Sequence, residues 1–508
     1  MIDSVLLIRP YSISKKEFPL GLLYIGTALK NKEYKVKIID LQDDPSREDE
    51  IIDIVKKSTN LIVGITGLAL HYRWIKQFSL KLKKVSLKTK IVVGGHVVPI
   101  YELLLLNTGV DYICIGEGEE MFPELIDKLN KNQSVETILG IAFKNAENKV
   151  IKTGFRPLLK SFIIPDYGLI DIERYLIHPT KDFFFKNSPQ YRAREKKDDK
   201  LGVIMFSRGC VGGCNFCYRH LPGFRQASVD WSWNHLMLLY KKYGIKYFRV
   251  DDELFINDPE WFDAFYQKFI DAKLDILFRI TGLRVDLIND ELLKKLKNTG
   301  CIAINYGIES GSQTILDKMN KRTTVSQNLE AIKKTLNQDM QVMAYTMIGY
   351  EGENKKTLNE TLDMLLESGL PREYIDIFYA VALPGTKLYK DALKNGKIRN
   401  EEEYLINMAT YVEKPKPAHE RYIINLSDTN VINLIQWERF LPVLIKLNQI
   451  FKKHPLIFSI LKKFIVTLPA SRFTLKLLSR TIQLLRNLKN IGNNYHKNKE
   501  LKTLSHQK

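Results

Sequence analysis

Three cysteines stand close together at Cys210, Cys214 and Cys217, in the spacing C-x3-C-x2-C within the segment RGCVGGCNFCY. The glycines between them permit a loop to fold around a metal cluster and to direct backbone N–H groups at its sulfurs. Three thiolates leave one iron of a four-iron cluster without a protein ligand, and an open position of this kind can bind a substrate directly. The spacing therefore predicts an iron–sulfur cluster with an open coordination site.

A structural zinc site is the main alternative for the same cysteines. Such a site usually closes with four ligands, and His220 could supply the fourth in a C-x2-C-x2-H arrangement. Because that spacing is unusual for zinc, the cluster is favoured. Chance clustering of three of the five cysteines in the chain is disfavoured more strongly.

The composition bounds the class of protein. The chain has 508 residues, of which 45% are hydrophobic and 27% are charged, as in ordinary globular proteins. Five cysteines are too few for a disulfide scaffold, no signal-peptide pattern opens the sequence, and no uncharged apolar stretch is long enough to span a bilayer. We therefore expect a cytoplasmic protein in a reducing compartment.

The positive charge is concentrated near the end of the sequence. The whole chain has a formal net charge of +19, and residues 430–508 contain 15 Lys and Arg against 2 Asp and Glu. That segment alone carries a net +13, which leaves only +6 for the rest. The total charge is therefore a poor guide to what the main body binds.

The elements that must position the cysteines begin with an α/β region. Short apolar strands at residues 5–8, 36–40, 61–66, 91–93 and 111–115 alternate with helical patterns, which predicts a doubly wound, Rossmann-like parallel sheet. Ligands of such sheets bind beyond the carboxyl ends of the strands. The fourth and fifth ends hold five candidate binding residues, which are Gly94, Gly95, His96, Gly116 and Glu117. The G-x-G-x-x-G fingerprint is absent, which disfavours a nicotinamide cofactor.

The cysteine motif, with Phe216 before its last Cys, resembles that of the radical S-adenosylmethionine superfamily. Further family motifs follow in the expected order over about 200 residues, although Glu351 and Asn354 depart from the usual I-G-x-P-G-E-T. These segments are 247–258 (YFRVDDELFIND), 277–284 (LFRITGLR), 301–312 (CIAINYGIESGS), 347–353 (MIGYEGE) and 383–389 (LPGTKLY).

This resemblance implies that the three cysteines hold a [4Fe–4S] cluster whose open iron chelates S-adenosylmethionine. Reductive cleavage would then yield a 5′-deoxyadenosyl radical that takes hydrogen from an unreactive C–H bond. Implied cofactor contacts are the Phe216 backbone at adenine, Asp251, Asp252 or Glu253 at the methionine ammonium, Arg279 or Arg284 at its carboxylate, Glu309 at the ribose, and the neighbouring Ser310. Taken singly, each acid could equally be an ordinary strand-end carboxylate, but the order of the motifs favours Glu309 and Asp252.

The first region resembles the cobalamin-binding domain that precedes the radical domain in one large subfamily. The resemblance rests on PLGLLY at 19–24, VGGH at 93–96 and DYICIGEGE at 111–119. The D-x-H-x-x-G motif that supplies an axial histidine in other cobalamin proteins is absent. Cobalamin is therefore expected to bind without a protein histidine on cobalt, and loss of cobalamin in this chain stays an open alternative.

The basic segment has apolar residues at helical spacing over 434–488, with breaks expected at Pro442, Pro455 and Pro469. Three interpretations stay open: helices on an anionic membrane surface, helices that pack on the barrel with a cationic face toward an acidic substrate or partner, and a solvated cap. Nucleic acid binding is disfavoured because no RNA-binding module is recognisable. Residues 490–508 are polar and are predicted to be disordered.

The predicted organisation has five parts. They are a cobalamin-binding α/β domain (1–143), a connector (144–199), a partial (β/α)6 TIM-type radical barrel (200–400), a basic helical region (401–489) and the disordered tail (490–508). We predict a cobalamin-dependent methyltransferase for a small metabolite or lipid-like substrate, with ferredoxin or flavodoxin as electron donor. The alternatives are a non-methylating radical enzyme of the same architecture that catalyses a cyclisation or rearrangement, and a non-catalytic regulatory protein that binds an iron–sulfur cluster or cobalamin. The location is expected to be cytoplasmic, with peripheral contact at the inner membrane face left open.

Overall fold

The computed structural model describes residues 1–11, 17–42, 44–409, 424–451 and 455–465. These residues form two compact units. The first comprises Met1–Tyr306, Lys334–Gln341 and the described residues between Val381 and Ile424, and the second comprises Gly307–Lys333, Val342–Ala380 and the described residues from Asn425 onward.

The first unit opens with a seven-stranded sheet. Its strands are β1 (Ser4–Arg9), β2 (Lys35–Asp40), β3 (Leu61–Thr66), β4 (Lys90–Gly94), β5 (Tyr112–Cys114), β6 (Ile141–Lys144) and β7 (Val150–Lys152). The connecting helices are α1 (Leu20–Lys30), α2 (Glu48–Lys57), α3 (Tyr72–Val85), α4 (Tyr101–Asn107) and α5 (Gly118–Asn130).

The strand order is β2-β1-β3-β4-β5-β6-β7, and the first five strands run parallel. The order reverses between β1 and β3, which is the topological switch point where doubly wound sheets bind ligands. The predicted Rossmann-like fold is confirmed. A hairpin of β6 and β7 extends the sheet in antiparallel fashion.

The continuous apolar runs of β1, β3 and β4 follow from their central position. Strands covered on both faces need no polar alternation, and all five residues from Leu61 to Ile65 are buried. Side chains such as Leu7, Ile62, Val92 and Phe122 belong to one core cluster. This packing leaves the carboxyl ends of the strands to carry the polar and glycine residues.

The first unit continues into a second set of elements. They are α6 (Phe183–Lys186), α7 (Pro189–Arg192), β8 (Leu201–Ile204), β9 (Ser207–Gly209), β10 (Phe224–Gln226), α8 (Val229–Tyr243), β11 (Tyr247–Val250), α9 (Pro259–Ala272), β12 (Leu277–Ile280), α10 (Asp290–Asn298) and β13 (Cys301–Glu309). Strands β8, β11, β12 and the start of β13 are parallel neighbours in that order. Strands β9 and β10 form an antiparallel pair, and the three cysteines lie on the loop between them.

The remaining elements complete a six-fold strand–helix repeat. They are α11 (Gln313–Lys318), α12 (Val325–Asn337), β14 (Gln341–Ile348), α13 (Lys355–Ser368), β15 (Ile375–Tyr379), α14 (Lys387–Lys394), α15 (Glu401–Met408), α16 (Val431–Ile450) and α17 (Pro455–Ile465). Within the second unit β14 pairs in parallel with β15. Four parallel strands in the first unit and the parallel β14–β15 pair in the second are each followed by a helix, in agreement with the predicted (β/α)6 class.

Local sequence signals set the ends of these helices. The Asn289 side chain accepts a hydrogen bond from the Leu292 N–H at 2.8 Å and so begins α10, and Ser228 does the same for α8 through the Trp231 N–H at 3.2 Å. Each such cap is worth about 1 kcal/mol. Helix α8 ends at Gly244, whose φ of +69° lies in the left-handed region that favours glycine.

The basic region differs from its prediction at Pro442, because α16 runs through this proline without ending. The helix packs within the second unit, where Trp437 Nε1 donates to the Leu358 carbonyl at 2.9 Å and Asn448 donates to the Leu366 carbonyl at 3.1 Å. We infer that this packing compensates for the hydrogen bond that proline removes. Helix α17 begins at Pro455, as expected, whereas the breaks and disorder predicted beyond residue 465 lie outside the described residues. No helix in the described ranges is long and apolar enough to cross a membrane.

Candidate functional site: a cysteine loop beside a glycine-lined cavity

The cysteine loop is anchored where β9 ends. Gly209 has φ +81°, and a Cβ there would collide with the carbonyl oxygen of Gly223 across the hairpin. Only glycine therefore lets the two strands approach so closely at the base of the loop. Above this base, Cys210 and Cys214 are half-buried and Cys217 is exposed.

Gly212 lies between two of the sulfurs. A Cβ on Gly212 would stand 3.3 Å from Cys210 Sγ and 3.8 Å from Cys214 Sγ, and the Gly212 N–H donates to Cys210 Sγ at 3.3 Å. The backbone at Gly212 thus approaches the thiols closely and directs an N–H group at one of them. This donor set fits the [4Fe–4S] cluster that the spacing predicts, since soft thiolates with nearby N–H donors are the usual ligands of such clusters.

The alternative zinc site fits less well. His220 Nε2 lies 2.9 Å from the Gly116 carbonyl oxygen, which leaves Nδ1 as the ring nitrogen that could bind a metal. Among the described residues, no three His, Cys, Asp or Glu side chains converge closely enough to hold one metal ion. Cysteines of a cluster each bond a different iron, so they need not converge on one point.

The three acids after β11 occupy different environments. Asp252 is buried beneath β9, where Oδ1 accepts from the Phe206 N–H at 2.9 Å and from Ser207 Oγ at 2.5 Å. Burial raises the pKa of Asp252 to about 7, and its Oδ2 has no hydrogen-bond partner among the described residues. Asp251 accepts from Thr281 Oγ1 at 3.1 Å and pairs with Arg249. Glu253 is exposed and lines the cavity described below.

Two arginines were candidates for the cofactor carboxylate, and the structure separates them. Arg279 is buried, pairs with Asp182 at 2.9 Å and lies over the Phe184 ring at 5.1 Å. Its guanidinium is therefore engaged by Asp182, and a contact of Arg279 with the cofactor carboxylate stays a prediction. Arg284 instead lies beside the cysteine loop, with Nη1 3.5 Å from the position that a Cβ on Gly212 would occupy. Its hydrogen bond to Asp286 raises the pKa of Arg284, and the nearby thiols of Cys210 and Cys214 act in the same direction.

Glu309 and Ser310 belong to the second unit. Glu309 has φ +62°, an uncommon conformation for a residue with a side chain, and its Oε1 accepts from Lys321 Nζ at 2.9 Å. Ser310 Oγ lies 3.1 Å from Thr361 Oγ1. A backbone held in a sparsely populated region often marks a functional site.

A cavity of 470 Å³ lies in the first unit beside the cysteine loop. All five residues predicted at the strand ends of the sheet line it, namely Gly94, Gly95, His96, Gly116 and Glu117. Gly95 has φ +85°, and a Cβ there would lie 2.8 Å from the Gly67 carbonyl oxygen. Gly95 therefore lets the end of β4 pack closely on the end of β3, whereas a Cβ on Gly116 would have its nearest neighbour 3.9 Å away. A cavity lined by strand-end glycines in this way fits the predicted cobalamin.

The opposite wall of this cavity was not predicted. It is formed by residues of the cysteine hairpin and its neighbours, which are Met205, Arg208, Gly209, His220, Leu221 and Glu253. The spacing of the cysteines holds no signal that their hairpin reaches the first sheet. The cavity therefore brings the two predicted cofactor regions to one place.

His71 also lines the cavity and is buried. Its Nδ1 accepts from the Leu68 N–H at 3.0 Å, so the neutral ring carries its proton on Nε2, and burial lowers the pKa of His71 to about 4. A protonated ring nitrogen has no lone pair to offer a metal. Cobalamin binding without a histidine on cobalt stays a prediction, and His71 in this tautomer does not conflict with it.

Comparisons with known proteins identify both regions. A family model described as the B12 binding domain matches residues 12–126, and one described as the Radical SAM superfamily matches residues 204–365. An uncharacterized methyltransferase of Pyrococcus horikoshii is 30% identical over 387 residues, which cover 74% of this chain and 79% of that protein.

Two further relatives have more specific names. Cytidylyl-2-hydroxyethylphosphonate methyltransferase of Streptomyces wedmorensis is 25% identical over 79% of this chain and 83% of its own. Anaerobic magnesium-protoporphyrin IX monomethyl ester cyclase of Rubrivivax gelatinosus is 25% identical over 68% of this chain and 61% of its own.

Solved structures share the fold. OxsB, a cobalamin-dependent S-adenosylmethionine radical enzyme, superposes with a TM-score of 0.62 at 17% identity over 95% of this chain and 75% of its own. The radical S-adenosylmethionine methyltransferase TsrM of Kitasatospora setae superposes with a TM-score of 0.61 at 14% identity, and the match covers 78% of this chain and 77% of TsrM.

The cysteine loop fits a [4Fe–4S] cluster that binds S-adenosylmethionine, and the glycine-lined cavity fits cobalamin, the cofactors of the matched families. Both domains lie in the expected order along the sequence, and the relatives are enzymes, so the alternative of a non-catalytic regulatory protein is not retained. The chain therefore belongs to the family of radical S-adenosylmethionine enzymes that carry an N-terminal cobalamin-binding domain.

Proposed function

We propose that this chain transfers a methyl group to an unactivated carbon or phosphorus centre of a small metabolite or lipid-like molecule. The observation that carries the proposal is the shared cavity, whose walls come from the strand ends of the cobalamin-binding sheet and from the cysteine hairpin. A substrate held beside this cavity could reach a methyl donor and a radical source together. Two relatives named as methyltransferases support the same chemistry.

The bound cofactors would supply this reaction: two molecules of S-adenosylmethionine and two electrons convert R–H to R–CH3, S-adenosylhomocysteine, 5′-deoxyadenosine and methionine. The protein's part is to bind, to orient and to exclude water. The electrons must come from an external one-electron donor, for which we infer ferredoxin or flavodoxin. Thiolates that hold a cluster also favour a reducing, cytoplasmic compartment.

Most of the predicted residues have a proposed task in this scheme, and the exceptions are Glu117 and Arg279, which pairs with Asp182. Cys210, Cys214 and Cys217 would hold the cluster, and the exposed Glu253 would pair with the methionine ammonium. Arg284, beside the sulfurs, would pair with its carboxylate. Further proposed cofactor contacts are Phe216, Asp251, Asp252, Glu309 and Ser310, and those proposed for cobalamin are Gly94, Gly95, His96 and Gly116.

A radical cyclisation is the second candidate, because one relative, which matches 68% of this chain, is named as a cyclase. The two candidates differ in the fate of the methyl group. Methyl transfer forms S-adenosylhomocysteine together with 5′-deoxyadenosine, whereas cyclisation forms 5′-deoxyadenosine without a stoichiometric methylated product.

The test uses the full chain, purified and reconstituted without oxygen with iron, sulfide and hydroxocobalamin. We expect a bound cobalamin absorption spectrum, and with a strong one-electron reductant we expect both 5′-deoxyadenosine and S-adenosylhomocysteine. No retained cobalamin would overturn the cobalamin-dependent mechanism. Formation of 5′-deoxyadenosine without S-adenosylhomocysteine, measured with candidate substrates present, would favour the cyclase.

A further inference from the structure

A buried network of four charged side chains joins the loop after β5 to the strands that flank the cysteines. Arg208 Nη1 lies 2.5 Å from Glu117 Oε1, and Arg208 Nη2 lies 2.7 Å from Glu119 Oε1. Arg225 Nη2 lies 2.7 Å from the same Glu117 oxygen. The two carboxylates are only 5% and 8% exposed, so water contributes little to their stabilisation.

Further contacts with the backbone and with two aromatic rings support this network. Glu117 Oε2 accepts from the Leu159 N–H at 2.8 Å, and Arg225 Nη1 donates to the Leu159 carbonyl at 2.7 Å. The Arg208 guanidinium lies 4.5 Å from the centre of the Tyr24 ring and 4.9 Å from that of Phe162. Two acids balance two arginines, and a buried network needs both this balance and these hydrogen bonds to be tolerated.

The residues that contact the loop after β5 lie on both sides of the cysteine loop along the sequence. Arg208 stands two residues before Cys210, and Arg225 lies on β10, where the chain returns. His220 stands three residues after Cys217, and its Nε2 lies 2.9 Å from the Gly116 carbonyl oxygen. The loop after β5 thus holds the hairpin both before and after the three sulfurs.

We propose that Glu117 is a positioning residue that, with Arg208 and Arg225, holds the cysteine hairpin at a fixed distance from the cobalamin cavity. The sequence had suggested a direct cofactor contact for Glu117, but both of its carboxylate oxygens are committed to protein donors. We call Glu117, Arg208 and Arg225 together the clamp. Its role rests on the proposed function, in which a radical source and a methyl donor must reach one substrate. The clamp itself is a property of the protein alone.

The test is Glu117→Gln in the full-length, anaerobically reconstituted enzyme. This variant keeps the side-chain volume, removes the charge and leaves the two arginines with one acid between them. We expect backbone amides of residues 207–226 to exchange hydrogen at least about tenfold faster. In protein with the cluster reduced and cobalamin as cob(II)alamin, pulsed electron paramagnetic resonance should show a broader distribution of distances between the two paramagnetic centres.

Two further variants keep the outcome interpretable. Glu124→Gln is the matched control, because Glu124 lies on α5, the helix that follows Glu117, and pairs with Arg156, whose other polar contacts are with Glu120 and the Leu139 carbonyl. It should leave exchange at 207–226 and the distance distribution unchanged. The double variant Glu117→Gln/Arg225→Gln restores the charge balance and should recover part of the protection.

Unchanged exchange and an unchanged distance distribution in Glu117→Gln would overturn the proposal. If Glu117→Gln does not fold, Arg225→Lys, which keeps the charge but loses the planar fork, takes its place with the same expected direction. The exchange measurement needs no turnover. Failure of methyl transfer in the unaltered enzyme would therefore refute the proposed function and leave the clamp standing.

Discussion

The loop that carries Cys210, Cys214 and Cys217 takes its chemical groups from eight neighbouring residues, whereas the cavity beside it takes its walls from strand ends spread over the first unit. The loop's function depends on side chains that no other residue type can replace. The cavity depends mainly on the absence of side chains, as at Gly95. Substitutions should therefore abolish function outright in the loop and weaken it by degrees in the cavity.

The largest effect is expected at the sulfurs. Cys214→Ala should abolish the cluster and all cleavage of S-adenosylmethionine, measured by iron content and by 5′-deoxyadenosine formation. Cys301→Ala is the control, because Cys301 is buried at the start of β13, outside the loop, and it should retain its cluster. Persistent cleavage in Cys214→Ala would remove the basis for treating the loop as the chemical centre.

Asp252 tests the support beneath the loop. Its pKa of about 7 lies above the ordinary 3.8, so at intermediate pH the folded protein keeps a proton that the unfolded chain has lost. The stability contributed by this group is thus fully present below about pH 4 and is lost as the pH rises to about 7, by at most roughly 4 kcal/mol.

Because asparagine cannot titrate, the Asp252→Asn variant should not lose this stability as the pH rises. The melting temperature of cofactor-free protein, measured from pH 5 to pH 8, should therefore rise in the variant relative to the unaltered chain as the pH increases. Asp263→Asn, in a largely exposed ion pair with Lys295, serves as the control. Parallel pH profiles for Asp252→Asn and the unaltered chain would show that the carboxyl is ionised when folded.

Gly95→Ala tests the cavity. The added Cβ meets the Gly67 carbonyl at 2.8 Å and Thr66 Oγ1 at 2.9 Å, at a φ of +85° that disfavours alanine. We expect a strain of about 2 kcal/mol. If the loop relieves this strain by shifting, and must shift back to bind the cofactor, cobalamin binding weakens by up to roughly thirtyfold while the cluster stays intact. Gly154→Ala, where the nearest atom is 3.4 Å from the new Cβ, should bind cobalamin normally. Loss of the cluster in Gly95→Ala would mean that the two regions are not separable.

The smallest effect is expected from the arginines. Arg284→Lys should weaken S-adenosylmethionine binding about fivefold, because lysine loses the bidentate geometry that suits a carboxylate. Arg279→Lys should instead lower the melting temperature and leave that affinity unchanged, since Arg279 pairs with the buried Asp182. Titration of the oxidised cluster with S-adenosylmethionine measures the affinity, and thermal unfolding measures the melting temperature. Weaker binding in Arg279→Lys with unchanged binding in Arg284→Lys would instead favour Arg279 as the residue that pairs with the cofactor carboxylate.

Much of the fold and part of the site follow from local patterns. Alternating strands and helices predicted the doubly wound sheet, and glycines at strand ends predicted the lining of the cavity. Other assignments depended on which way a side chain turns. The motif order favoured Asp252 over Glu253 and did not separate Arg279 from Arg284, because the direction of each of these side chains depends on how the strands pair.

The sequence by itself determined the chemistry: three thiolates in a fixed spacing, motifs in family order and bare glycines at the ends of parallel strands. Short-range geometry suffices for these features, because a loop of eight residues or a single strand end limits where its groups can lie. Only the tertiary structure decided that Glu117 pairs with Arg208 and Arg225, 91 and 108 residues away along the chain. Such pairs depend on how distant strands pack, which no local pattern encodes.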